Sequence, residues 1–210
     1  MMLILTTLIF SSALVTICSH YLKKKRWFYI FKPLTTFLIF ILIAAGSGFH
    51  LDRYARLIAA GMIFSLAGDV FLMLPKGRFI QGLVSFLIAH LFYMTAFFSQ
   101  TEKTRLLYWP LLLLLIYGAV VFALLFRFLK KYTRPVLLYM LVIIIMAWQA
   151  WEMALGSRIR VSAAAGALLF VFSDSILAWI RFRRPFHNVE AIKLGLYFTA
   201  QWLIALSAGG

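Results

Sequence analysis

The sequence predicts an all-α integral membrane protein, one domain over residues 1–210 made of eight transmembrane helices, and three observations carry that prediction. The chain is 64% hydrophobic and only 13% charged, against roughly 25% charged in a soluble domain, and its mean hydropathy is +0.97. It divides into apolar runs of about 18–20 residues, the length that crosses a bilayer as a helix, separated by short basic connections. No Gly/Ser linker, low-complexity tract or long polar tail is left over for a second domain.

The first span runs from about Leu3 to Ser19. No positive charge precedes it and Lys23-Lys-Lys-Arg26 follows it, the reverse of a cleavable signal peptide, so it is expected to stay with its N-terminus outside. The second starts near Phe28, carries Lys32-Pro33 in its first turns, where proline is tolerated, and ends at Gly46-Ser-Gly48. The third is entered from Arg53 and Arg56 and stopped by Pro75-Lys-Gly-Arg78; the fourth, Phe79 to about Ser99, carries Gln81, Ser85, His90 and Tyr93. Leu106 to Phe126, Pro135 to about Glu152, Val161 to Ile180 and about Val189 to Ser207 complete the set.

The net charge of +15 raises nucleic acid as a partner, but most of the 21 Lys and Arg sit beside spans. They read instead as topology signals and contacts to anionic membrane lipids. The connections after spans 1, 3, 5 and 7, with Lys32 and Lys193, hold fifteen basic residues against six after spans 2, 4 and 6. The positive-inside rule therefore places the odd connections in the cytoplasm and both termini outside. Trp27, Trp109, Trp151 and Trp179 near helix ends suit an interfacial belt. A single cysteine, Cys18, excludes an intrachain disulfide and a multi-cysteine metal site.

Within this apolar chain the informative residues are carboxylates. Gly61-Met-Ile-Phe-Ser-Leu-Ala-Gly-Asp-Val-Phe-Leu-Met-Leu74 sets Asp69 inside a span, and Gly166-Ala-Leu-Leu-Phe-Val-Phe-Ser-Asp-Ser-Ile-Leu-Ala-Trp179 repeats the plan around Asp174. A charge in the hydrocarbon costs at least about 2.5–3.5 kcal/mol, so each acid needs a function or a partner. A weak internal repeat of two tandem four-helix units links them. Leu22-Lys-Lys matches Leu129-Lys-Lys, Lys32-Pro matches Arg134-Pro, Gly61 and Asp69 match Gly166 and Asp174, and His90 pairs loosely with Gln201. Units of four spans share an orientation and would be related by an axis along the membrane normal.

Both aspartates fall about 10 Å inside the cytoplasmic boundary at 1.5 Å per helical residue. Ser65 lies one turn from Asp69; Lys193, Tyr197 and Gln201 form one polar stripe on span 8, and His90 with Tyr93 another on span 4. Such stripes should face inward, because hydrogen-bonding groups facing lipid go unpaired. Each also has a structural reading: an aspartate bonded to a neighbouring Ser or Lys, an interior histidine, Lys32 and Lys193 snorkelling to lipid phosphate, Ser65, Ser173 and Ser175 packing helices. No G-x-S-x-G elbow supports a serine hydrolase. No metal is expected, since His20, His50 and His187 lie at helix ends or in connections and only His90 is well inside a span.

Lys32-Pro-Leu, Gly68-Asp-Val, His90-Leu-Phe-Tyr93, Ser173-Asp-Ser and Tyr197-Phe-Thr-Ala-Gln201 together resemble the YhhN-type lysoplasmalogenase family over nearly the whole chain. That resemblance implies an eight-helix enzyme, without cofactor, of the bacterial inner (plasma) membrane. Its implied reaction hydrolyses the vinyl-ether bond of lysoplasmalogens, lysophospholipid substrates, to a fatty aldehyde and glycerophosphoethanolamine or glycerophosphocholine. It also implies Asp69 and Asp174 as the catalytic centre, and the polar residues beside them, Lys32, Ser65, His90, Tyr93, Ser173, Lys193, Tyr197 and Gln201, are read from their spacing as binding substrate or supporting the acids.

Residue chemistry agrees with that reaction without demanding it. Protonating the β-carbon of a vinyl ether gives an oxocarbenium ion that water captures, so one acid and one anion suffice, as in paired-carboxylate glycosidases. Helices 3, 4, 7 and 8 are then expected to line one pocket, with Lys32 at its rim gripping phosphate. The other class that the same acids fit is a proton-coupled transporter or lipid-binding module, with the aspartates as a proton relay.

Overall fold

A computed structural model describes residues 1–48, 50–74, 77–101, 107–155, 160–183, 186 and 188–209. Among them the helices are α1 (Met2–Tyr21), α2 (Lys25–Gly46), α3 (Arg53–Met73), α4 (Phe79–Ser99), α5 (Tyr108–Leu129), α6 (Thr133–Ala154), α7 (Val161–Phe182) and α8 (Val189–Leu206). Pro75 and Lys76, Leu106, Lys103 and Arg105, Arg158, Arg184 and His187, which the sequence reading invoked as stops, starts, loop charges or a helix-end histidine, lie outside the described residues.

Seven helical segments are long and apolar enough to cross a membrane. The longest, 47 residues over Tyr108–Ala154, contains both α5 and α6. Those two are joined by a 3-10 turn at Lys130–Tyr132, entered through Lys130 at φ 47°, and pack against each other, so the chain reverses there. Helix α2 begins at Lys25 rather than near Phe28. Pro33 therefore lies more than two turns inside it, and with no N–H of its own it leaves the Tyr29 carbonyl without its usual helical partner.

The molecule carries its apolar residues on both its inner and outer faces. Helix α5 buries Pro110, Gly118, Leu125 and Leu129 and exposes Leu112, Leu113, Ile116, Val120 and Leu124, an apolar face suited to a lipid surrounding. The interior, by contrast, holds Thr36, Ser65, Asp69, His90 and Gln201.

The closest helix pairs are the hairpins α3–α4 and α7–α8, followed by α1–α2, while α2 packs on α8 and α4 on α6. Glycines explain the tight hairpins. A methyl group at Gly61 would stand 3.0 Å from the Ala89 carbonyl oxygen, and one at Gly166 would stand 2.8 Å from that of Ala200. The two hairpins thus meet at matching points, with α3 onto α7 at an offset of 105 residues and α4 onto α8 at 111. Rings of Phe79, Tyr132 and Phe182 touch at 5.6–5.7 Å. They bring the start of α4, the α5–α6 turn and the end of α7 to one end of the bundle.

Candidate active site

At that end a cavity of about 600 Å³ opens between α1, α2, α3, α4, α7 and α8, within the range of small-molecule sites. Helices 3, 4, 7 and 8 all contribute, as expected, and α1 and α2 add Ser19, His20, Phe28, Tyr29 and Lys32. Lys23, Lys25, Arg78, Arg181 and Lys193 give it a basic lining; Phe71, Leu72, Phe79, Phe86, Leu177 and Leu194 give it apolar walls. Asp69 and Asp174 both face it.

Their surroundings differ. Asp69 is 1% exposed, with Oδ1 2.9 Å from Lys32 Nζ. Its Oδ2 accepts hydrogen bonds from Thr36 Oγ1 and Tyr197 OH, each at 2.7 Å. One cation and two hydroxyl donors converge on it, filling the acceptor positions of both oxygens with charge-assisted contacts. Lys32 is thus not a free grip at the rim: its side chain is 8% exposed and its charge is spent on Asp69. Behind Tyr197 the chain of bonds continues. Gln201 Nε2 donates to Tyr197 OH at 3.3 Å, and Tyr93 OH donates to Gln201 Oε1 at 2.9 Å. Since that hydroxyl has one proton, Ser65 Oγ is the donor in its 3.3 Å contact with Tyr93.

Asp174 has a sparser shell. Its Oδ2 accepts from Tyr139 OH on α6, and His90 Nε2 lies 3.8 Å from the same oxygen. His90 Nδ1 faces the Phe86 carbonyl, which only accepts, so Nδ1 carries the proton and Nε2 of the neutral ring presents a lone pair towards Asp174. Among the described residues that Nε2 has no hydrogen-bond partner. Ser173 Oγ donates to the Lys193 carbonyl at 3.1 Å and so pins α7 to α8 beside the cavity. Lys193 Nζ itself is ion-paired with Glu190. A narrow apolar crevice between α5, α6 and α7, bounded by Gly118, Leu125, Val136, Met140 and Ile144, also reaches Asp174.

Ten residues singled out from sequence thus fall into one connected region, ordered around two carboxylates. Thr36 and Tyr139, which bond those carboxylates directly, were not among them. Thr36 stands one turn after Lys32, and Tyr139 lies 103 residues further on, one residue off the 102-residue offset of Lys32-Pro and Arg134-Pro, too faint a signal to single them out.

Comparison with known proteins gives the family of the chain. Residues 27–208 match the family model described as the YhhN family. The chain belongs to the YhhN family. The uncharacterized membrane protein YhhN of Escherichia coli O157:H7 is 33% identical over 186 residues, covering 87% of this chain and 86% of that protein. The human lysoplasmalogenase TMEM86A is 34% identical over 191 residues, 85% of this chain and 77% of that protein. Human lysoplasmalogenase TMEM86B is 35% identical over 156 residues, 74% and 64% of the two chains. No solved structure matches. As a YhhN-family chain it is a multi-pass membrane protein, and every residue described around the cavity falls within the family match except Ser19, His20, Lys23 and Lys25.

Proposed function

We propose that this YhhN-family protein is a lysoplasmalogen hydrolase of eight spanning helices in two four-helix units. Its basic end and cavity mouth face the cytoplasm, and both termini lie outside. The observation that carries the reading is the contrast between two carboxylates on one cavity: Asp69 saturated by Lys32, Thr36 and Tyr197, Asp174 held by Tyr139 alone with His90 nearby. The matched glycine contacts of the two hairpins support the repeat, and the lysoplasmalogenase relatives support the substrate class.

The lysolipid sets its phosphate at the basic mouth and its alkenyl chain among the apolar walls. Asp174 carries the proton and gives it to the β-carbon of the vinyl ether, leaving an oxocarbenium ion. Asp69, paired with Lys32, faces the developing positive charge. Water adds to the carbon bound to oxygen and loses a proton to the Asp174 carboxylate, which restores the acid. The hemiacetal then breaks its bond to the glycerol oxygen, which gains a proton as the hydroxyl loses one, yielding the fatty aldehyde and glycerophosphoethanolamine or glycerophosphocholine. Tyr139 and His90 orient Asp174; Tyr197, Gln201, Tyr93 and Ser65 fix Asp69 from behind.

A proton-coupled transporter would place its site at broken helices, whereas α3 and α7 run uninterrupted past Asp69 and Asp174. The deciding experiment gives purified protein a vinyl-ether lysolipid and, as control, its saturated ether. Aldehyde from the first alone is expected; intact lipid recovered with both headgroups after many hours overturns the hydrolase.

A further inference from the structure

Six side-chain carboxylates are present in the chain, of which Glu102 lies outside the described residues, and four of the other five have evident places. Asp69 and Asp174 lie in the cavity. Asp52 caps α3 through the Ala55 N–H, Glu152 accepts from Leu107 N and Trp148 Nε1 at the start of α5, and Glu102 falls in sequence between α4 and α5. Asp52 and Glu152 belong to the end of the bundle opposite the mouth. Glu190 remains. Among the described residues it is the one carboxylate at the mouth, where Lys23, Lys25, Arg78, Arg181 and Lys193 also line the cavity.

Glu190 Oε2 lies 2.5 Å from Lys193 Nζ, and the two side chains are 21% and 15% exposed. A lone anion among five cations weakens a site meant only for phosphate, since it cancels one of the charges that would hold it. It strengthens a site meant for a zwitterion. In the empty cavity Glu190 and Lys193 neutralise each other, and a headgroup carrying phosphate and ammonium a few ångströms apart offers each a new partner at once. Neither charge is left unpaired by the exchange, which would be costly in a partly buried site.

We propose that Glu190 reads the headgroup ammonium of the lysolipid, with Lys193 turning to the phosphate, and that a primary ammonium is preferred. The preference follows from donor chemistry: ethanolamine presents three N–H donors to a carboxylate, while the quaternary nitrogen of choline presents none. This assignment rests on the lysolipid reading of the cavity.

The test compares vinyl-ether lysolipids bearing phosphoethanolamine, phosphocholine and phosphoglycerol, read as kcat/KM for aldehyde release, with wild type and Glu190→Gln. Wild type should favour ethanolamine over glycerol by about tenfold, the scale of one charge-assisted hydrogen bond, and Glu190→Gln should collapse that ratio towards one. Lys193→Gln should instead lower kcat/KM for all three. A Glu190→Gln ratio equal to that of wild type overturns the proposal, as does an equal loss with every headgroup, which would make Glu190 only a support for Lys193. A second arm measures Kd for the saturated-ether lysolipids with ethanolamine and glycerol headgroups. If no aldehyde forms from any lipid, the hydrolase reading fails. The binding arm then decides Glu190 alone: a preference for ethanolamine erased by Glu190→Gln supports it, and a preference unchanged by the substitution, or none in wild type, overturns it.

Discussion

Lys32 Nζ and Asp69 Oδ1 form a 2.9 Å ion pair in which neither side chain is more than 8% exposed, on helices that also share the Thr36–Asp69 hydrogen bond. A charge pair this deep is held as a unit. Removing one member strands the other in a poorly solvated place, and that stranded charge typically costs about 3–5 kcal/mol, more than the pair itself contributes.

The expected consequence is a stability cycle. Lys32→Met should lower the thermal midpoint in detergent markedly, and adding Asp69→Asn to it should recover most of the loss, because the stranded charge is gone. Aldehyde release should stay abolished in the double variant. A double variant no more stable than Lys32→Met would mean that the pair is not coupled.

The hydroxyl donors predict a graded series. Tyr197→Phe removes a donor from Asp69 and also strips Gln201 Nε2 of its acceptor, whereas Thr36→Val removes one donor only. With a hydrogen bond to a charged group contributing about 1.5–3 kcal/mol, each should reduce kcat at least about tenfold, Tyr197→Phe more than Thr36→Val. Equal kcat for Tyr197→Phe and wild type would remove Asp69 from the chemistry.

Much of this site can be read along the chain, and the parts that cannot share a cause. Asp69 and Asp174 announce themselves because a carboxylate in an apolar run has few innocent explanations. The Lys193, Tyr197, Gln201 stripe follows from helical spacing alone. Thr36 and Tyr139 are different: in a membrane span a threonine or tyrosine is unremarkable, and only the packing of α2 on α3 and α6 on α7 turns them towards the acids. Lys32 was expected at the rim because a lysine near a helix end ordinarily snorkels to water. It turns inward instead, because Asp69 on the neighbouring helix supplies the countercharge. The α5–α6 reversal was legible in Leu129-Lys-Lys and Arg134-Pro, while the start of α2 was set three residues late because Lys25 and Arg26 read as loop.

Packing of the hairpins gives a third outcome. Gly166→Leu would press a side chain onto the Ala200 carbonyl oxygen and Ile204, where even a methyl group stands 2.8–2.9 Å away. Backbone oxygen cannot move aside as a flexible side chain can, so α7 and α8 must separate, with a loss of about 1–3 kcal/mol or more. Thermal unfolding should show it, and an unchanged midpoint would contradict the close approach of these helices.

Isotope labelling tests the proton path directly. If Asp174 protonates the β-carbon, turnover in deuterated water puts one deuteron on the carbon next to the aldehyde carbonyl, because Asp174 exchanges with solvent before each cycle. Mass spectrometry of rapidly trapped aldehyde should find that single label. Unlabelled aldehyde would exclude carbon protonation from solvent-exchanged Asp174.

The crevice between α5, α6 and α7 leads to the last outcome. Its walls are apolar, it reaches Asp174, and none of the basic residues of the mouth lines it, so it suits the alkenyl chain or the aldehyde leaving after cleavage. Gly118 keeps it open: a methyl group there would stand 2.4 Å from Ile144 Cδ1, the mobile end of a side chain that can yield. Gly118→Leu should therefore fold while filling the crevice, and the obstruction should matter only for substrates whose chain reaches that far. Turnover of a long-chain vinyl-ether lysolipid is expected to fall while that of a short-chain analogue with the same headgroup is retained. Equal losses for both chain lengths would show that the chain lies elsewhere along the walls of the main cavity.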